Sequence, residues 1–160
     1  MTGQHAVQLR EITFATVRQI IDLRVSEQQR RYVAPNATSI AEGLLNPGGW
    51  PRAIYADDLP VGFTMLLNPK VPGAILRSPV DAGGVLIWRL MIDRGHQKRG
   101  YAKIALDQLC TQARAIGADW LLTSCVPGEH GPEQFYLRYG FVKTGGVRAN
   151  GTETELRLSL

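Results

Sequence analysis

The apolar run Val85 to Ile92 reads as a buried strand, and the segment after it narrows the fold. A short basic loop leads directly into a helix spaced from about Tyr101 to Ile116, with Ala102, Ala105, Leu106, Leu109, Ala113 and Ile116 on one face. Gly117 is placed to end that helix, and Asp119 to Val126 reads as another strand. Strand, helix and strand in this order imply a parallel strand pair. A helix start leaves backbone N–H groups unpaired and carries a partial positive charge. Gly100 lets a ligand approach the backbone, and Lys98 and Arg99 add full charge, so the turn is a seat for a pyrophosphate. Neither a Gly-x-x-x-x-Gly-Lys-Ser/Thr loop nor a Gly-x-Gly-x-x-Gly loop is present.

Upstream, Ala6 to Ile12 has strand character, and Thr13 is placed to cap a helix carrying Val17, Ile20, Ile21 and Val25. Ser26 to Tyr32 continues as helix or loop until Pro35-Asn36 breaks it. Ser39 is a cap for a short helix, Ile40 to Leu45, which Asn46 to Gly49 ends. Arg52 to Ala56 and Val61 to Leu67 form a hairpin about the turn Asp57 to Pro60. Asn68 to Gly84 reads as a long loop, either a lid or wall of a site or a plain surface excursion. Downstream, Pro132 opens a short helix, Glu133 to Tyr139. Phe141 to Thr144 and Thr152 to Ser159 then pair about a turn at Asn150-Gly151. The expected fold is α/β (α+β): a mixed, mostly antiparallel sheet of about seven strands with about four helices and one parallel pair.

A chain of 160 residues with 44% hydrophobic and 20% charged residues fits one soluble domain spanning 1–160. No apolar run reaches membrane-spanning length, and Met1 to Ala6 lacks a basic region leading into an apolar stretch. A cytoplasmic protein without a membrane partner is therefore expected. Cys110 and Cys125 are too few for a disulfide framework or a metal cluster, so no metal is expected. The net charge of +4 suits an anionic cofactor, and the basic residues do not form the aromatic-interleaved stripe of a nucleic-acid binder.

The spacing Gln97-x-x-Gly100-x-Ala102 resembles the CoA-binding signature of the GNAT superfamily, the acyl-CoA-dependent N-acetyltransferases. Phe135-Tyr-Leu-Arg-Tyr-Gly-Phe141 resembles the family's Tyr-x-x-x-Gly-Phe segment, and the element order is also the family's. The resemblance implies acetyl-CoA as acyl donor, held by Gln97, Lys98, Arg99, Gly100, Tyr101 and Ala102 and by backbone groups of Leu90, Met91 and Ile92. It implies that Tyr136 protonates the leaving thiolate, a task suited to a phenol with a pKa of roughly 10. Tyr139 reads as core packing. Asp93, His96, Glu129, His130 and Glu133 are all candidates for the base, and none is singled out. Two positions depart from the pattern: Lys98 stands where many members have glycine, and Glu129 where many have a cofactor-contacting asparagine.

The stretches Gln28-Gln29, Tyr32 to Asn36 and Ser39 to Glu42 resemble the branch that includes bacterial spermine/spermidine acetyltransferases. That likeness makes Glu27, Gln28, Gln29, Tyr32 and Glu42 acceptor candidates, although Gln28-Gln-Arg-Arg31 is basic where a polyamine site needs acids. The implied reaction is transfer of an acetyl group from acetyl-CoA to a primary amine of a small molecule, with a polyamine as one option. A protein N-terminus or lysine is the alternative acceptor, and a non-catalytic CoA-binding regulator is the alternative role. Family members are often dimers, so a homodimer is one expectation. Phe14, Trp50 and the long loop are either its interface or local core.

Overall fold

Chain order accounts for most of the sheet, because consecutive apolar strands joined by short turns pair as neighbours. In the computed structural model, which describes residues 5–160, strands β1 (Val7–Arg10), β2 (Gly49–Ala56), β3 (Leu59–Leu67) and β4 (Gly84–Ile92) form an antiparallel meander. Strand β5 (Trp120–Cys125) returns beside β4 through helix α3 (Tyr101–Ala115) and is the parallel partner. Strands β6 (Val142–Arg148) and β7 (Glu153–Ser159) complete one seven-stranded sheet, ordered β1-β2-β3-β4-β5-β7-β6. Helices α1 (Val17–Asp22), α2 (Asn36–Leu45) and α4 (Glu133–Tyr139) bring the α-helices among the described residues to four, joined by a short 3-10 helix, Glu27–Tyr32. The fold class read from the sequence is the one observed. Met1 to Gln4, part of the stretch read for a targeting signal, lie outside the described residues.

The sheet is covered on both faces. Leu106, Leu109 and Ala113 of α3 pack with Val85, Ile87, Leu121 and Leu156 on one side. Ile20 of α1 and Ile40 of α2 pack with Ala53, Phe63, Met65 and Met91 on the other. Burial of these apolar side chains, about 25 cal/mol per Å2, fixes the layer order.

Two irregularities open the sheet at one place. Strands β4 and β5 pair only over Gly84–Leu86 against Trp120–Leu122, although β4 runs on to Ile92 and β5 to Cys125. On its other edge β4 sets Arg89 opposite Met65 but Ile87 opposite Leu66, so Trp88 is an extra residue, a β-bulge.

Several sequence expectations shift. Helix α1 begins at Val17 rather than after Thr13, whose carbonyl accepts the Val17 N–H at 2.9 Å; the Thr13 side chain caps nothing. It ends before Val25 because the Arg24 backbone is held elsewhere: its N–H donates to Asp93 Oδ1 at 2.8 Å, and its carbonyl accepts the Arg94 N–H at 2.7 Å. Helix α2 starts at Asn36, four residues early, so Ser39 lies inside it and not at its cap. Asn36, buried, donates to the Ile20 carbonyl at 2.9 Å and ties the two helices together. The hairpin turn tightens to Asp57-Asp58, with Leu59 and Pro60 already in β3. Residues 68–83 contain no helix or strand, as expected of the long loop.

Candidate functional site

Where β4 and β5 part, their facing backbone groups have no ladder partner, and buried N–H and C=O groups need one. Two cavities flank this opening. The smaller, about 410 Å3, is lined by Leu90, Met91 and Ile92 of β4 and by Gln97, Lys98, Gly100, Tyr101 and Ala102 at the start of α3. Lys103, His130 and Arg138 add basic and titratable groups to its wall. Of the cofactor residues expected from the sequence, only Arg99 stays off this lining; its guanidinium turns back to the Gly95 carbonyl at 3.4 Å.

The helix start has the form an anion needs. Gly100 precedes α3 with φ +82, and no side chain caps the helix. A Cβ built on Gly100 meets no atom within 4 Å, so the space in front of the backbone is open. Lys98 has φ +61, a left-handed conformation that favours glycine, which explains why glycine is expected at this position. Gln97 holds the loop in place: its Nε2 donates to the Ile92 carbonyl at 3.0 Å and to Gln29 Oε1 at 2.8 Å. Gln29 in turn accepts the Ser26 N–H at 3.2 Å, which joins the 3-10 helix to the loop.

The larger cavity, about 820 Å3, lies on the other side of the opening, between α2, the long loop and the ends of β5 and β7. Tyr32, Val33, Leu90, Pro132 and Tyr136 line both cavities, so the two meet at these residues. Ile75, Leu76, Arg77 and Ser78 of the long loop wall the larger cavity. Gly128 and Gly131 make the slot for the Tyr32 ring, since a Cβ on Gly128 would overlap the Tyr32 hydroxyl and the Arg31 guanidinium.

Tyr136 is 4% exposed and packs edge-on between Phe135 and Phe141. Burial, with the neighbouring Cys125 adding to it, pushes its phenol well above the ordinary value. It therefore stays neutral throughout the physiological range. Tyr139 lines neither cavity; its hydroxyl donates to Asp107 at 2.6 Å. Cys125 is also buried, and burial together with Glu133 and Glu153 pushes its thiol up to about 12, so it stays protonated and unreactive.

The remaining sequence candidates divide. Glu42 lines the larger cavity, Gln29 the smaller and Tyr32 both, whereas Glu27 and Gln28 line neither and are exposed. Asp93 serves the turn. Burial disfavours its charge, but the N–H groups of Arg24 and Gly95 and the His96 ring outweigh this and hold its carboxyl below the usual value. Glu133 pairs with Lys143 at 2.7 Å, and Glu129 lines neither cavity. Sequence reasoning missed Arg89, Ser124 and Glu153, all of which line the larger cavity. An arginine within the apolar β4 run was a usable signal for the first. Glu153 had none, because only the pairing of β7 with β5 brings it to Ser124 Oγ, which donates to it at 2.5 Å.

The sequence model of the acetyltransferase (GNAT) family matches residues 14–141, which include both cavities' central elements. The chain belongs to this family. Solved structures agree in fold. An acetyltransferase from Agrobacterium tumefaciens superposes with a TM-score of 0.71 at 17% identity, over 96% of this chain and 91% of that one. A Bacillus subtilis acetyltransferase in complex with CoA gives 0.63 at 19% identity, over 98% and 99%. The PaiA N-acetyltransferase of Thermoplasma acidophilum, in complex with coenzyme A, gives 0.69 at 12% identity, over 97% and 99%. No curated protein sequence matches the chain. Among the described residues, no helix of this acetyltransferase is long and apolar enough to cross a membrane.

Proposed function

We propose that this GNAT protein transfers an acetyl group from acetyl-CoA to a primary amine of a small molecule, by direct attack of the amine on the thioester. The observation that carries the reading is the meeting of two cavities at Tyr136 and Leu90, where β4 and β5 part. The smaller cavity suits the donor: an uncapped helix start with an open Gly100 favours the pyrophosphate, and Lys98 and Lys103 add charge. Leu90, Met91 and Ile92 line this cavity beyond the last β4–β5 pair, so backbone groups on the edge that β5 has left suit the amide-bearing arm and the thioester carbonyl. A backbone N–H aimed at the developing oxyanion lowers the barrier by about 3 kcal/mol.

In the transfer, the neutral amine forms the new C–N bond, the C–S bond breaks, and the thiolate takes the phenolic proton of Tyr136. The newly acylated nitrogen sheds its excess proton to give the neutral amide, and the tyrosinate regains a proton from that nitrogen or from solvent. Burial keeps the phenol protonated, which leaves Tyr136 available as a donor and not as a base. The protonated Cys125 lines neither cavity, which argues against an acyl-cysteine intermediate. A polyamine acceptor, suggested by the N-terminal resemblance, calls for an acid-lined cavity, and Arg31, Arg77 and Arg89 on the wall weigh against it. A steady-state thiol-release assay with acetyl-CoA against a panel of amines tests the reading. Turnover with a small primary amine is expected; CoA binding without turnover on any amine refutes it in favour of a non-catalytic role.

A further inference from the structure

The charges around the larger cavity are not evenly shared. Arg148 is consumed by structure: it is 8% exposed, donates to the Pro79 and Ser78 carbonyls at 2.7 and 3.2 Å, and pairs with Glu155 at 3.1 Å. Arg30 pairs with Glu27 at 3.1 Å. Three guanidiniums remain on one side. Arg77 and Arg89 share a single carboxylate, Glu42, at 2.9 and 3.3 Å. Arg31 donates to the Tyr32 hydroxyl at 2.7 Å and, among the described residues, has no carboxylate within ion-pair distance. Arg89 is held by Ser39 Oγ, 3.0 Å from its Nε, and is substantially desolvated, a setting in which unbalanced positive charge attracts an anion strongly. On the β5–β7 wall stands one carboxylate with no ion-pair partner among the described residues, Glu153, which accepts a hydrogen bond from Ser124. Ser124 adjoins Thr123, which contacts Tyr136.

We propose that the acceptor carries both charges: an ammonium received by Glu153 and an anionic group, a carboxylate or a phosphate, held by Arg31, Arg77 and Arg89. This rests on the acetyl-transfer reading and names its substrate class. The amine end then lies toward Glu153 and Tyr136 and the anion toward Arg31 and Arg77, while Arg89 feels the charges of both Glu42 and Glu153. A volume of about 820 Å3 leaves room for an amino acid with a large side chain or for a phosphorylated amine. Guanidiniums match the planar carboxylate and the phosphate equally well, so the two sources are separated by experiment.

The test uses matched pairs in the thiol-release assay: L-phenylalanine against L-phenylalaninamide, and phosphoethanolamine against ethanolamine, with spermidine as a cationic control. The anionic member of one pair is expected to show at least tenfold higher kcat/KM, and which pair responds tells carboxylate from phosphate. Arg31→Gln, an exposed position, is expected to raise KM for that member at least tenfold and to erase the preference. Equal or better turnover of the neutral members or of spermidine overturns the proposal. A second readout stands apart from turnover: calorimetry of the CoA-loaded protein with the same compounds. If neither these compounds nor any amine of the wider panel turns over, the acetyl-transfer reading fails. Tighter binding of the anionic members, lost in Arg31→Gln, then still supports the anion site, and equal binding of both members refutes it.

Discussion

Replacing Tyr136 by phenylalanine removes one hydroxyl and little else. The ring sits edge-on between Phe135 and Phe141, with centroids 5.2 and 5.1 Å away, and those contacts survive in the variant. Loss of one hydrogen bond of a buried phenol costs about 1 kcal/mol of stability. The kinetic effect is far larger if the phenol gives its proton to the leaving thiolate. Proton transfer from a positioned group contributes roughly 100- to 10,000-fold, equivalent to about 3–5.5 kcal/mol of barrier. Burial keeps this phenol protonated, so wild type always holds the proton that the variant lacks. Steady-state thiol release should therefore show kcat reduced at least 100-fold with little change in the KM for acetyl-CoA, alongside a denaturant midpoint close to wild type. Wild-type kcat in a folded Tyr136→Phe protein removes the tyrosine from the mechanism. A fall in kcat matched by loss of cofactor affinity makes it a packing residue of the groove.

The same geometry sets three further outcomes. Because the Tyr136 pKa is raised, the acid form persists upward in pH, and kcat should rise with amine deprotonation and show no falling limb below about pH 10; a falling limb near pH 8 contradicts this assignment. Gly100→Val introduces a β-branched side chain at φ +82 and into the open space before α3, at a cost of about 1–2 kcal/mol in backbone strain alone. CoA affinity measured by calorimetry should fall at least tenfold, and unchanged affinity refutes the pyrophosphate seat. Asp93→Asn weakens the bonds to the Arg24 and Gly95 N–H groups and should lower stability in urea by about 1–3 kcal/mol at pH 7. Since the folded carboxyl lies below its usual value, its stabilisation is present above about pH 4 and is lost as pH falls further. The gap between variant and wild type should close in acid, and a gap that persists there assigns the effect to something other than the charge.

The parts of this acetyltransferase legible in its sequence are those set by local pattern. The helical spacing from Ala102 to Ile116, the turn residues at Asp57-Asp58 and the motif from Gln97 to Ala102 each carry their meaning within a few positions. The helix boundaries at Asp22 and Asn36 did not, because distant partners fix them. Asp93 takes the Arg24 N–H that would otherwise extend α1, and Ile20 takes the Asn36 side chain. The wall of the larger cavity, proposed as the acceptor side, was hidden for the same reason. Arg31, Glu42, Arg77, Arg89 and Glu153 come from five separate segments and share no spacing. Glu42 reads as an acid on a helix and hence as a polyamine ligand. In the fold it is already committed to Arg77 and Arg89. One carboxylate between two guanidiniums reverses the sign of the wall that its residue type alone suggests. In the reading proposed here, acceptor charge is therefore decided by pairing across the cavity rather than by the residues of the N-terminal stretch.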